Sequence, residues 1–181
     1  MARHGAFAFG AWLALACAAP GAHAADALVA DLEQRLSRSD VDALNTYLMA
    51  KGSTAMASLH RQTAACQRAA VSLTVRLSRG RHARAAGEHG DALRIAAGRC
   101  PGYVLALLTS IEVPRLCTSA STWGAATAAR ELRRRIADID ADASLRASPR
   151  GQACRAAYHD ELYNTRVVVK RAPAPARPAS S

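Results

Sequence analysis

Residues 53–80 read STAMASLHRQTAACQRAAVSLTVRLSRG. Apolar or small side chains recur in this stretch every three or four residues, at Met56, Leu59, Thr63, Cys66, Ala70, Leu73 and Leu77. Because an α-helix turns once in about 3.6 residues, this spacing places all of them on one face. The pattern predicts one long amphipathic helix that begins at Ser53 and ends at Gly80.

The same periodicity continues on both sides of this stretch. Leucines at positions 28, 32 and 36 predict a first helix over residues 26–37. Ser39 is a suitable N-cap for a second helix, which Gly52 ends. Residues 81–90 contain two glycines and few apolar side chains, so we expect a loop there. Further helices are predicted over residues 91–98, 103–113, 121–139 and 149–169, with a short strand as the alternative at 167–169.

The N-terminus has the three parts of a secretory signal peptide. Arg3 makes the start positive, residues 6–19 are mostly apolar, and Ala22-His23-Ala24 offers small residues at the two positions that a signal peptidase reads. The apolar run is shorter than the roughly 20 residues that a membrane-spanning helix needs. We expect cleavage after Ala24 and a periplasmic or secreted mature protein.

Cys17 leaves one alternative to a soluble product. It follows an apolar segment, as the lipid-modified cysteine of a lipoprotein does, but the position three residues before it is Ala14 and not a large aliphatic residue. Cleavage after Ala24 would remove Cys17. The alternative is therefore a protein anchored by lipid at Cys17.

The chain divides into three parts on composition. Residues 1–24 are the predicted signal peptide, residues 25–170 a helical domain, and residues 171–181 a tail rich in Pro and Ala that we expect to be disordered. Removing the signal from 181 residues leaves 157, which suits one domain. We therefore predict an all-α fold, a single compact domain of about six to seven helices stapled by two disulfides.

The disulfide prediction rests on the cysteines that follow the signal, Cys66, Cys100, Cys117 and Cys154. An even number in an exported chain indicates two disulfides, and the absence of a C-x2-C pair argues against zinc. Three pairings exist. Cys100 and Cys117 flank the predicted helix 103–113, which is about 16 Å long, whereas a disulfide needs Cα atoms within about 7 Å. The favoured pairing is Cys66–Cys100 with Cys117–Cys154.

The formal net charge is +10, and nearly all of the cations are arginines. A basic balance is typical of nucleic-acid binding, but the export signal argues against that partner. Compositional bias toward arginine is one explanation of the charge, and attraction to an anionic partner is another. The densest basic cluster is Arg130, Arg133, Arg134 and Arg135, which is either a solvated helix face or the docking site of an acidic partner.

Three polar groupings are candidates for chemistry. Asp138, Asp140 and Asp142 have the spacing of a calcium-loop start, but the glycine and glutamate that such a loop needs are missing. His82 and His89 do not have the spacing of two ligands on one helix face. No metal or cofactor is therefore predicted.

Two further histidines carry different expectations. His159 is followed by Asp160 and Glu161, so it is a candidate general base or partner-binding residue, although neighbours on a helix diverge by about 100°. His60 reads as an ordinary helix-face residue.

No catalytic motif occurs in the chain. The favoured hypothesis is an exported helical protein that acts by protein–protein interaction in a bacterial envelope, as secretion accessories and toxin-immunity proteins do. One alternative is a small exported acid–base or hydrolytic enzyme that uses His159. The other is a protein that binds an anionic envelope polymer or membrane surface through arginine.

Overall fold

A computed structural model describes residues 20–50 and 53–171, with side chains described for residues 27–50 and 54–165. Most of the predicted signal peptide with Cys17, the stop residue Gly52 and tail residues 172–181 lie outside the described residues. The described residues form helices and no strand, which confirms the all-α prediction. The helices are α1 Pro20–Arg38, α2 Val41–Ala50, α3 Ser53–Ala64, α4 Arg68–Leu77, α5 Ala83–Ala97, α6 Pro101–Leu107, α7 Glu112–Leu116, α8 Ala125–Ala141, α9 Ala143–Ala147 and α10 Pro149–Arg171.

The predicted helix 53–80 is two helices. Cys66 lies between α3 and α4 with φ 63°, a left-handed conformation that a continuing helix does not contain. The chain reverses there, and α3 packs against α4 as an antiparallel hairpin in which the Thr63 and Thr74 hydroxyls are 2.7 Å apart. Each half of the sequence keeps helical periodicity, which is why the pattern alone suggested one helix.

The predicted loop at residues 81–90 is wrong, because α5 begins at Ala83 and runs through both glycines. His82 caps this helix, since its Nδ1 accepts a hydrogen bond from the Ala85 N–H at 3.3 Å. Gly90 is buried within α5 and does not end the helix.

The predicted helix 103–113 is also divided. α6 ends at Leu107, and α7 begins at Glu112 after a turn. The Glu112 carboxylate accepts hydrogen bonds from the Thr109 N–H at 2.7 Å and the Thr109 hydroxyl at 2.9 Å, which holds the turn together. Pro114 lies in the first turn of α7, where a missing N–H is tolerated. Such divisions raise the number of helices among the described residues to ten, above the six to seven predicted.

The interior consists of two apolar clusters that share α4 and α5. Buried side chains of α1 to α4 and the start of α5 form the first, with Leu32, Leu48 and Leu59 among its fully buried members. The second joins α4 to α10 through residues such as Leu93, Leu132 and Tyr158. The apolar faces of neighbouring helices remove this surface from water, which is the main favourable contribution to folding.

Both disulfides have the predicted pairing. The Sγ atoms of Cys66 and Cys100 are 2.08 Å apart, and those of Cys117 and Cys154 are 1.99 Å apart. The first bridge is half-buried and joins the α3–α4 turn to the α5–α6 connection, whereas the second is buried between α7 and α10. Within residues 20–50 and 53–171, none of the helices combines the length and apolarity needed to cross a bilayer.

Candidate functional site

The predicted arginine cluster on α8 separates into three environments. Arg130 and Arg133 are exposed and have no ion pair with a described carboxylate. Arg134 is exposed but sits between Glu131 at 3.0 Å and Asp138 at 2.7 Å. The structure therefore leaves two cations of α8 open to an anionic partner and partly neutralises the third.

Arg135 is the exception, because only 3% of it is exposed. Its Cζ atom lies 4.7 Å from the centre of the Trp123 ring, and its Nη1 is 3.4 Å from the Tyr158 hydroxyl. Its Nε is buried and has no hydrogen-bond partner in the protein. Arg135 is thus part of the interior of the domain and does not lie on the exposed face.

A second group of arginines surrounds the half-buried bridge. Arg61 is in the last turn of α3, Arg68 begins α4, and Arg99 precedes Cys100; all three are exposed. The disulfide fixes these segments together, and Arg99 Nη1 donates to the Ala64 carbonyl at 3.1 Å. We call Arg61, Arg68 and Arg99 the basic surface.

The basic surface adjoins α8. Arg134 Nη2 donates to the Gly98 carbonyl at 3.2 Å, so the exposed side of α8 reaches the residue that precedes Arg99. On the other side, the Arg68 guanidinium stacks 5.4 Å from the centre of the Tyr103 ring. Arg134 of α8 therefore lies next to the basic surface.

All of the described carboxylates but the exposed Asp160 already have partners. Nine ion pairs connect arginines to nine different carboxylates among the described residues. Asp40 and Asp142 cap α2 and α9, and Glu161 accepts a hydrogen bond from the Ser119 hydroxyl at 2.8 Å. None of the described carboxylates pairs with the basic surface, so its positive charge is uncompensated from within the described part of the chain.

The surroundings of His159 do not assemble a general base. His159 and Asp160 are both exposed, and Glu161 is bound to Ser119. His159 has no hydrogen bond to a described residue that would fix its ring. An imidazole that acts as a base needs an orienting partner and a site for the substrate, and the described neighbours of His159 supply no such partner.

A buried polar chain connects α2, α3 and α5, and sequence reasoning missed it. His60 Nε2 lies 2.9 Å from His89 Nδ1, His89 Nε2 lies 3.1 Å from Asn45 Oδ1, and Asn45 Nδ2 donates to the Leu77 carbonyl at 3.0 Å. His89 and Asn45 are fully buried, whereas His60 is half-buried.

The donor and the acceptor in each of these hydrogen bonds follow from the contact between Asn45 and the Leu77 carbonyl. The Leu77 carbonyl can only accept, so Asn45 donates to it and its Oδ1 is left as an acceptor for the N–H of His89 Nε2. His89 Nδ1 is then an acceptor for the Nε2–H of His60. His89 is therefore neutral, and a proton added to the pair goes to His60 Nδ1.

The pKa values agree with this assignment. Burial, together with the neighbouring His60, lowers the pKa of His89 to about 3. Burial also lowers the pKa of His60, although the negative charges of Glu88 and Asp91 oppose that shift. The hydrogen-bonded residues His60, His89 and Asn45 are therefore uncharged at neutral pH and have a structural role.

The acidic and histidine candidates for metal binding have other partners. Asp138 pairs with Arg134, Asp140 with Arg155, and Asp142 caps α9. His82 caps α5, while His89 points to His60 and Asn45. The described part of the chain contains no group of three or more His, Cys, Asp or Glu side chains placed to hold a metal ion.

Compared with known protein families, curated proteins and solved structures, the chain has no match. Its function must therefore be argued from the basic surface and its surroundings.

The sequence contained a usable signal for the basic surface but not for the histidine chain. Arg68 and Arg99 lie within two residues of cysteines whose pairing was predicted, so that pairing already brings both arginines together. His89 lay in a segment read as a loop, and its contact with His60 spans 29 residues with no periodic signal.

Proposed function

We propose that this chain is an exported helical protein that acts by binding an acidic partner protein without covalent chemistry. The observation that supports it is the basic surface, where Arg61, Arg68 and Arg99 are exposed and lack carboxylate partners among the described residues. Clustered positive charge accelerates encounter with an acidic surface and selects against basic partners.

Arginine is suited to this role. Its planar guanidinium makes paired hydrogen bonds to carboxylates and stacks on aromatic rings. Arg68 and Tyr103 already form such a stack, so the patch combines charge with an aromatic face. Arginine and tyrosine are enriched among the residues that contribute most to protein–protein binding.

Export is the second part of the proposal. The first 24 residues have the order of a signal peptide, and two disulfides are typical of proteins that fold in an oxidising compartment. An envelope protein with a cationic surface would meet acidic proteins of the same compartment, in keeping with an accessory or immunity-type role.

The test is capture of a partner from envelope extract by the oxidised full chain and by two charge-matched variants. The first replaces Arg61, Arg68 and Arg99 with Gln. The second, the control, replaces Arg38, Arg115 and Arg146 with Gln, because these are equally exposed arginines on α1, α7 and α9. Each variant loses three positive charges, so a general effect of net charge affects both alike.

We expect one acidic protein to be retained by the wild type and the control but lost from the first variant. Equal loss from both variants would indicate nonspecific attraction and would contradict the proposal. Retention by anionic lipid vesicles, with no protein captured, would replace it with the membrane-surface alternative.

A further inference from the structure

Arg135 is a buried cation whose hydrogen-bonding capacity is nearly unused. A guanidinium has five N–H groups, and among the described residues Arg135 makes one hydrogen bond, to the Tyr158 hydroxyl at 3.4 Å. Nε is buried without a partner, and no described carboxylate forms an ion pair with Arg135. A buried charge without an acceptor is unfavourable, so the side chain favours any ligand that brings a negative oxygen to it.

The surrounding residues hold the guanidinium in place. A Cβ atom added to Gly98 would lie 2.6 Å from Nε and Nη2 of Arg135, so glycine is needed for the backbone to come this close. On another side the Trp123 ring covers the guanidinium at 4.7 Å. Packing on Gly98 and on the Trp123 ring compensates the charge only in part, because neither accepts a hydrogen bond from Arg135.

Trp123 is the part of this enclosure best able to move. It lies outside any helix, between Cys117 and the start of α8, and it is half-buried. The small cavity beside Arg135 measures about 10 Å³, which is too small for a carboxylate. A carboxylate therefore does not fit beside the guanidinium unless part of its enclosure moves.

Arg135 lies close to the basic surface. Its neighbour Arg134 donates to the Gly98 carbonyl, and Arg99 follows in sequence. A carboxylate attracted by the exposed arginines would thus arrive beside Gly98, which packs against the Arg135 guanidinium.

We propose that Arg135, covered by Trp123, is a carboxylate-binding site for an Asp or Glu side chain of the acidic partner. The indole ring moves aside, and the carboxylate then makes charge-assisted hydrogen bonds to the N–H groups of Arg135. This inference rests on the proposed function and names the anchor residue within it.

Tryptophan fluorescence tests the site directly. The chain has two tryptophans, so Trp12→Phe leaves Trp123 as the only one. The oxidised full chain with this change is titrated with a short aspartate-rich peptide, and with the matching asparagine peptide at equal ionic strength. We expect a saturable change in Trp123 emission with the aspartate peptide alone.

Two variants show whether the change in Trp123 emission depends on Arg135. Arg135→Met replaces the buried ion by an apolar side chain of similar length and should remove the emission change. Arg133→Met changes an exposed arginine of the same helix and should leave it. If Arg135→Met does not fold, the Nε–H resonance of Arg135 in the wild type gives the answer by NMR, because it must shift as the aspartate peptide is added.

Each result decides the proposal. No emission change, or the same change with the asparagine peptide or in folded Arg135→Met, overturns it, as does an unmoved Nε–H resonance. A response to anionic vesicles but not to the peptide overturns the assignment to an acidic protein. If the basic surface captures a partner but the emission of Trp123 does not change, the Arg135 site is overturned and the proposed function stands. A Trp123 response in a protein that captures no acidic partner overturns the proposed function alone.

Discussion

His60 and His89 share a hydrogen bond of 2.9 Å that joins α3 to α5 across the interior, with the two rings perpendicular. His89 is fully buried and continues the chain to Asn45. An imidazole in this position is compatible with the fold only while it is neutral, because its charged form would lose its hydration without gaining a carboxylate. The contact therefore makes the stability of the domain dependent on pH.

The first prediction concerns that dependence. The folded-state pKa of His89 is about 3, against an ordinary value of 6.5. Between these values the unfolded chain binds a proton that the folded chain does not, so stability is complete above pH 6.5 and declines as pH falls. The expected loss from pH 6.5 to pH 5 is about 1.5 kcal/mol of unfolding free energy, measurable by urea unfolding at several pH values.

The control for this prediction is His89→Gln, which keeps a neutral hydrogen-bonding side chain beside Asn45. The variant should be less stable at neutral pH but should change less between pH 6.5 and pH 5. An unchanged slope in the variant would show that His89 is not the group responsible.

The second prediction concerns the order in which the disulfides are reduced. Cys66 and Cys100 are half-buried, whereas Cys117 is 0% and Cys154 is 1% exposed. A reducing thiol must reach a sulfur atom to attack it, so the first bridge should open before the second under native conditions. Mild reduction, alkylation and peptide mass analysis should find Cys66 and Cys100 labelled first. In urea the cysteines of both bridges should be labelled at the same time. Earlier labelling of Cys117 and Cys154 without urea would contradict the expected order of reduction.

The third prediction uses two glycines in comparable helical positions. A Cβ atom at Gly151 would lie 1.9 Å from the Leu145 carbonyl oxygen, which belongs to the backbone of α9. Gly151→Ala should therefore force α9 away from α10 and destabilise the domain by about 1–3 kcal/mol. Thermal or urea unfolding measures the change.

Gly87 provides the matched control, because nothing lies within 4 Å of an added Cβ atom there. Gly87→Ala in α5 should stabilise the domain by about 0.5–1 kcal/mol, since alanine has the better helix propensity. Equal effects at the two glycines would contradict the close approach of α9 to α10.

The sequence was sufficient for the fold class and for the presence of two disulfides, because both depend on composition and on local patterns. Leucine spacing identified α1, and the distance between Cys100 and Cys117 argued against one of the three pairings, which left the observed pairing as one of two. These inferences use only helix periodicity and the geometric reach of a disulfide.

The remaining differences arise where tertiary contacts override local preference. Cys66 adopts a left-handed backbone conformation at the turn between α3 and α4, where its disulfide to Cys100 is attached. None of the residue types next to Cys66 is typical of a turn. Gly87 and Gly90 suggested a loop, yet α5 continues through them because Ala85, His89 and Leu93 are buried on one face. Arg135 was expected to lie with its exposed neighbours, but its position on α8 turns it toward Tyr158.

The measurement that tests the central claim most directly is the affinity for the captured partner over a range of salt concentrations. It compares the wild type with the variant that replaces Arg61, Arg68 and Arg99 by Gln. Salt screens the attraction between exposed charges. The account predicts that wild-type binding weakens steeply as salt rises, and that the variant binds more weakly with a shallower dependence. Binding that is independent of salt, or a variant with wild-type affinity and slope, would contradict it.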